Sequence, residues 1–123
     1  MTRFKGQGFS NTFKNARKGF RLVLKSEMNI RIHVVIAFLV MLFAYLLNFS
    51  ALEFCMALFA IAFVIVAEML NTAIEFTLDS IYHNRYSKMV GMAKDISAGA
   101  VMFASFISLI IGLVLFGRHL LNL

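Results

Sequence analysis

The chain contains no proline, a single cysteine and, among 123 residues, only six acidic side chains. Cys55 lies inside an apolar run, so an internal disulfide and a thiolate metal cluster are both excluded, and it reads as a small hydrophobe. Turns have to be made without proline, and the polar stretch 82–87 is able to break a helix by itself. Neither GxxxxGK[ST] nor GxGxxG occurs, the only close glycine pair being Gly6 and Gly8, so no standard phosphate loop is present. Charged residues are 15 % of the chain against 61 % hydrophobic. A soluble domain of this size cannot keep so much apolar surface from water, which makes the class an all-α integral membrane protein.

Twelve Lys and Arg give a net charge of +6. In such an apolar chain that charge points to the anionic inner face of a lipid bilayer and not to nucleic acid. The first long apolar run starts near Val34, behind eight Lys and Arg, which is not the layout of a cleavable signal peptide. Residues 1–11 carry no periodic pattern and read as a flexible N-terminus, leaving 12–123 as one membrane-embedded domain. Over 12–26, Phe13, Ala16, Phe20, Val23 and Leu24 recur at helical spacing, with Lys14, Arg17, Lys18, Arg21 and Lys25 between them. This is an amphipathic surface helix lying in the interface. Gly19 within it marks a point where another helix approaches closely, and Ser26 offers a cap for the next helix. Three spans follow, at about 29–49, 52–79 and 96–117, the first run being extended by Ile30, Ile32 and Phe49 to roughly the 20 residues a bilayer requires. The segment 80–94 reads as a polar loop between the last two.

The stretch 67–79, AEMLNTAIEFTLD, breaks the apolar pattern. Glu68, Asn71, Glu75 and Asp79 stand at i, i+3, i+7 and i+11, forming one polar stripe roughly 16 Å long on a helix. Carboxylates at the edge of hydrocarbon face a partner charge, a cavity or a bundle interior. The stripe therefore reads as a divalent metal site or a proton path. A blander reading leaves Glu75 and Asp79 in water and Glu68 alone buried and hydrogen-bonded. Lys and Arg crowd the N-terminal segment and the second loop and are absent from the first loop, so the amino terminus and the stripe belong on the cytoplasmic side. That brings Glu27, Glu68, Asn71, Glu75, Lys94 and Asp95 to one membrane face. In the third span Ala100, Ala104, Ser108 and Gly112 repeat every four residues, a seam for close helix packing. Three helices make a thin bundle, so an oligomer is expected.

Phosphoryl transfer requires a divalent ion across the phosphates, a cation on the developing charge and a base for the attacking hydroxyl. The carboxylates with Lys94 supply all three. An oxygen-rich set of this kind suits magnesium, and Glu68, nearest the apolar core, suits the base.

The segments EMLNTAIEFTLD at 68–79 and AKDISAGAV at 93–101, with ARKGFRLVLKSEMNIRIH upstream, closely resemble the small bacterial integral-membrane diacylglycerol kinase and undecaprenol kinase family. The likeness runs from about residue 12 to residue 118. It implies a homotrimer of three-span subunits in the bacterial inner membrane, with shared active sites at the cytosolic interface, ATP as cosubstrate and Mg2+ as the ion. Carried over by position, Glu68 is implied as general base, with Asn71 orienting that centre. Glu27 and Glu75 are implied as metal ligands that also meet the nucleotide. Lys94, Asp95, Arg85, Tyr86 and Ser87 are implied nucleotide contacts, and Lys18, Arg21, Glu68 and Ser97 lipid-substrate contacts. The ExNxRxH run at 27–33 looks more like the undecaprenol kinase branch, with diacylglycerol kinase as the alternative.

His33 at the start of a span reads as a snorkelling or hydrogen-bonded residue. His83 and His119 have only loop or tail context, and Glu53 falls in the outer headgroup region. A different class of function, a small oligomeric channel or proton-coupled transporter lined by Glu68 and Glu75, would place polar groups along whole spans. The runs 54–67 and 98–116 contain almost none.

Overall fold

The computed structural model describes residues 8–83, 85 and 87–122. Four helices follow one another: α1 (Phe9–Ser26), α2 (Met28–Leu46), α3 (Ala51–Tyr82) and α4 (Lys88–Leu120), and the described residues contain no strand. The last three are long and apolar enough to cross a membrane, the all-α design that the composition predicts. Helix α1 starts three residues ahead of the expected Thr12. The Thr12 amide and hydroxyl both donate to the Gly8 carbonyl, at 3.1 and 3.2 Å, which carries the first turn back to Phe9. Residues 1–7 of the expected flexible start lie outside the described residues.

Ser26 does not cap the second helix. Glu27 is the N-cap of α2, in extended conformation with φ −120° and ψ 111°, and its side chain makes no capping bond. One extended residue thus separates α1 from α2, and the Glu27 carboxylate is left over for other use. Between α2 and α3 the cap is reciprocal: the Glu53 amide donates to Ser50 Oγ (3.2 Å) and the Ser50 amide to Glu53 Oε1 (2.9 Å). Glu53 therefore starts α3. Its other oxygen, Oε2, lies 2.9 Å from His119 Nε2, and the His119 ring stacks on Phe49 with centroids 4.5 Å apart.

The segment expected as a loop over 80–94 is mostly helical. His83 adopts the left-handed conformation (φ 47°, ψ 48°) and ends α3, while Ser87 Oγ accepts from the Val90 amide at 3.1 Å and starts α4. A left-handed residue and a hydroxyl cap suffice to reverse the chain, so Lys94 and Asp95 are helix residues with fixed directions. Helices α3 and α4 form the principal packed pair, running antiparallel. Polar bonds join them along their length: Glu53 with His119, the Ser108 hydroxyl to the Ala60 carbonyl (2.8 Å), the Ser97 hydroxyl to Asn71 Oδ1, and Lys94 with Asp79.

At 32 residues α3 is about 48 Å long, against a hydrocarbon core of roughly 30 Å. One end must stand clear of the lipid, and the charged end with Glu75 and Asp79 is the one that water tolerates. The polar stripe thereby straddles the boundary. The core of the single chain is small, with Ile30, Ala44, Ala57, Ala60, Val64, Ala104 and Leu115 among its buried residues, whereas Phe38, Phe59 and Phe103 remain largely exposed.

Only the middle of the small-residue seam is used within the chain. Ala104 is buried and Ser108 is bonded across, but Ala100 is exposed and a Cβ on Gly112 would meet nothing within 4 Å. The same holds for Gly19, where a Cβ would meet no other helix of the described residues within 4 Å. Ala104→Leu is therefore expected to destabilise the α3–α4 pair by about 1–3 kcal/mol through overpacking. Gly112→Ala is expected to cause no such loss. Denaturant unfolding in detergent micelles measures both.

Candidate active site at the end of the acidic stripe

The stripe expected from spacing is present on α3, and neighbouring helices close over its first half. Glu68 comes first, its side chain only 12 % exposed. Its Oε1 lies 3.0 Å from His33 Nε2 on α2, whereas Oε2 is buried and has no hydrogen-bond partner among the described residues. One turn on, Thr72 is buried and donates its hydroxyl to the Glu68 carbonyl at 3.0 Å, holding the backbone that carries the carboxylate. Asn71 Oδ1 accepts the hydroxyl of Ser97 on α4, and Ser97 Oγ also lies 3.2 Å from the Lys94 carbonyl. Asn71 is thus fixed by a partner 26 residues away, and its amide nitrogen remains a donor.

Glu27, Asn29, Glu68, Asn71 and Thr72 line a common cavity of about 150 Å³. Further along α3 a second recess of about 200 Å³ is bordered by Asp79, Tyr82, Arg85, Gly91 and Lys94. Lys94 Nζ and Asp79 Oδ1 meet there at 2.9 Å. Glu75 lies on the stripe between Asn71 and Asp79, half-buried and within electrostatic reach of the Lys94 ammonium. A third space, an apolar groove of about 450 Å³ between α2, α3 and α4, runs along the membrane-spanning part and has His33 in its lining.

The remaining candidates are more scattered. Asp95 is exposed on α4, and Lys18 and Arg21 are exposed on α1; none of the three lines these cavities. Arg85 borders the second recess, Ser87 is occupied as the α4 cap, and Tyr86 lies outside the described residues. Glu75 is not among the residues lining the cavity that Glu27 shares with Glu68.

A buried carboxylate with an unpartnered oxygen, lining a polar cavity and touching a histidine of the apolar groove, suits proton transfer to or from the head of an amphiphile. The matched family model, described as "Prokaryotic diacylglycerol kinase", covers residues 14–116. The chain belongs to the prokaryotic diacylglycerol kinase family. The match runs from α1 into the last turns of α4 and includes every candidate site residue. Relatives in this kinase family include an "Undecaprenol kinase" of Bacillus subtilis (strain 168), 34 % identical over 108 residues, covering 88 % of this chain and 87 % of the relative. A "Diacylglycerol kinase" of Escherichia coli (strain K12) is 30 % identical over 115 residues, 91 % of this chain and 93 % of the relative. A "Diacylglycerol kinase" of Synechocystis sp. (strain ATCC 27184 / PCC 6803 / Kazusa) is 31 % identical over 112 residues, 91 % of this chain and 64 % of that longer protein.

Among the described residues no group of three or more His, Cys, Asp and Glu side chains is placed to hold a metal ion. One or two carboxylates at a polar recess are the donor set of a hard ion that brings its phosphate oxygens and waters with it, and magnesium fits that description. Sequence reasoning missed Thr72, and it reads His33 as a snorkelling or hydrogen-bonded residue without naming its partner. Thr72 hides because a span tolerates a Thr bonded to its own helix, and the partner of His33 because it is 35 positions away.

Proposed function

We propose that this chain is an ATP-dependent membrane lipid kinase that transfers the γ-phosphate of ATP to the hydroxyl of a lipid alcohol, with undecaprenol favoured. The observation that carries the reading is Glu68, which lines the polar cavity, has a buried Oε2 with no partner among the described residues, and lies 3.0 Å through Oε1 from His33, a residue of the apolar groove. The groove accepts a hydrocarbon chain and the cavity the hydroxyl at its end. Glu68 takes the hydroxyl proton, and the freed oxygen attacks the γ-phosphorus as the bond to the ADP oxygen breaks. Asn71, held by Ser97, orients the hydroxyl. Lys94 and Arg85, at the second recess, meet the phosphates of the nucleotide, and Asp95, Tyr86 and Ser87 are carried over from the family resemblance as further nucleotide contacts. Lys18 and Arg21 on α1 hold the lipid headgroup region at the interface.

Glu27 and Glu75 are the carboxylates that would hold magnesium. When bound, that ion neutralises charge on the phosphate oxygens during transfer. The distribution of Lys and Arg supports a cytoplasmic amino terminus and site in a bacterial inner membrane. Within one chain Glu75 lies outside the cavity of Glu27 and Glu68, and large apolar side chains remain exposed. Both features support a homotrimer in which copies complete one another's sites.

Purified protein in mixed micelles, given magnesium and ATP labelled on the γ-phosphate, tests the reading by initial rates on undecaprenol and diacylglycerol. A larger kcat/KM with undecaprenol is expected. The reverse order favours the diacylglycerol reading, to which the E. coli relative's printed name points. Label in neither lipid ends the proposal.

A further inference from the structure

The Glu68 carboxylate is held unequally. His33 Nε2 lies 3.0 Å from Oε1, and Oε2 has no partner among the described residues. The separation is within hydrogen-bond reach, and since an ionised carboxylate only accepts, Nε2 is the atom that donates once the two groups align. The terminal torsion of a Glu side chain is broad and roughly two-fold. A carboxylate fixed only through its backbone would therefore swing, and its lone pairs would sweep the cavity. One donor from a second helix removes that freedom.

We infer that His33 is the positioning residue for Glu68: its Nε2–H fixes Oε1 and leaves Oε2 as the oxygen that receives the proton of the lipid hydroxyl. The inference rests on Glu68 being the base and goes beyond it by naming the acting oxygen and what aims it. His33 links the groove to the carboxylate. It lines the apolar groove along one side and reaches the carboxylate with the other, at the point where a lipid chain ends and its hydroxyl begins. Thr72 does the complementary work on the backbone, through its bond to the Glu68 carbonyl. Neither Asn71 nor Ser97 makes a hydrogen bond to the Glu68 carboxylate among the described residues, since Ser97 donates to Asn71 Oδ1 and Oε2 has no partner.

The test compares kcat and KM for His33→Leu, His33→Gln, Glu68→Gln and the double variant His33→Leu/Glu68→Gln, on purified protein with magnesium ATP and the better lipid. His33→Leu preserves the groove and removes the donor. It is expected to lower kcat by about 10²-fold, the scale of a roughly 1 Å misplacement, with KM for ATP unchanged. His33→Gln carries an N–H at similar reach and is expected to recover most of that loss. In the Glu68→Gln background, His33→Leu is expected to add nothing, because the two residues act as one unit. Parental kcat in His33→Leu overturns the inference, as does equal impairment of His33→Leu and His33→Gln with normal nucleotide binding. Should His33→Leu not yield folded protein, His33→Asn, whose shorter amide cannot reach Oε1, provides the same comparison with His33→Gln. Full turnover in Glu68→Gln removes the base reading itself. Loss in Glu68→Gln beside parental His33→Leu removes the positioning role alone.

Discussion

Glu68→Gln is expected to lower kcat by about 10³-fold, a barrier increase of about 4 kcal/mol, while magnesium-nucleotide affinity stays at the parental level. The substitution is nearly isosteric, and the amide oxygen still accepts from His33, so the α2–α3 contact survives. What disappears is proton affinity: an amide has no site that takes a proton near neutral pH. Because Glu68 lies in a different cavity from the recess of Lys94 and Arg85, its loss leaves the nucleotide side intact. Single-turnover phosphate transfer in micelles, beside titration with a fluorescent ATP analogue, separates the two effects. Near-parental turnover would remove Glu68 as the base. A parallel collapse of nucleotide binding would mean that the side chain supports the fold of the site and not its chemistry.

Glu27→Ala and Glu75→Ala are each expected to raise the magnesium concentration giving half-maximal rate by about 10²-fold, at least the upper end of what the loss of an outer-shell partner costs a metal site. Magnesium takes few protein ligands and keeps phosphate oxygens and water for the rest, so removing one carboxylate takes away a large share of what the protein contributes. The two variants differ in their side effects. Glu27 is the extended N-cap of α2 without a capping bond of its own, so its removal leaves the helix start unchanged. Glu75 lies within electrostatic reach of the Lys94 ammonium, which is paired with Asp79 at 2.9 Å, so its removal also lessens the negative field around Lys94. Recovery of rate at high magnesium marks ligand loss. Unchanged magnesium dependence in both variants would exclude them from the metal site.

Much of this architecture is written in local pattern. The absence of charge over 54–67 and 98–116 sets two spans, the alternation of Lys and Arg with Phe and Val sets α1, and the spacing of Glu68, Asn71, Glu75 and Asp79 sets one polar face. Helix ends were less legible. The segment 80–94 looks loop-like from its polarity, but helix continuation depends on backbone propensity and caps, and Ser87 caps a helix that already includes Lys94 and Asp95. The seam at Ala100, Ala104, Ser108 and Gly112 illustrates the same limit. Periodicity puts the four on one face, and only the packing selects Ala104 and Ser108 for α3 while leaving Gly112 open.

The sequence by itself determined that this chain spans a membrane three times, that all its acids but Glu53 gather at one rim, and to which family it belongs. Each of these follows from residue type and short spacing along one helix. Only the tertiary structure decided which side chains meet: His33 with Glu68, Ser97 with Asn71, Lys94 with Asp79 and His119 with Glu53. Those pairs depend on the depth and rotation of one helix against another. Helical periodicity defines a face, but the partner that face meets is fixed by packing between distant segments.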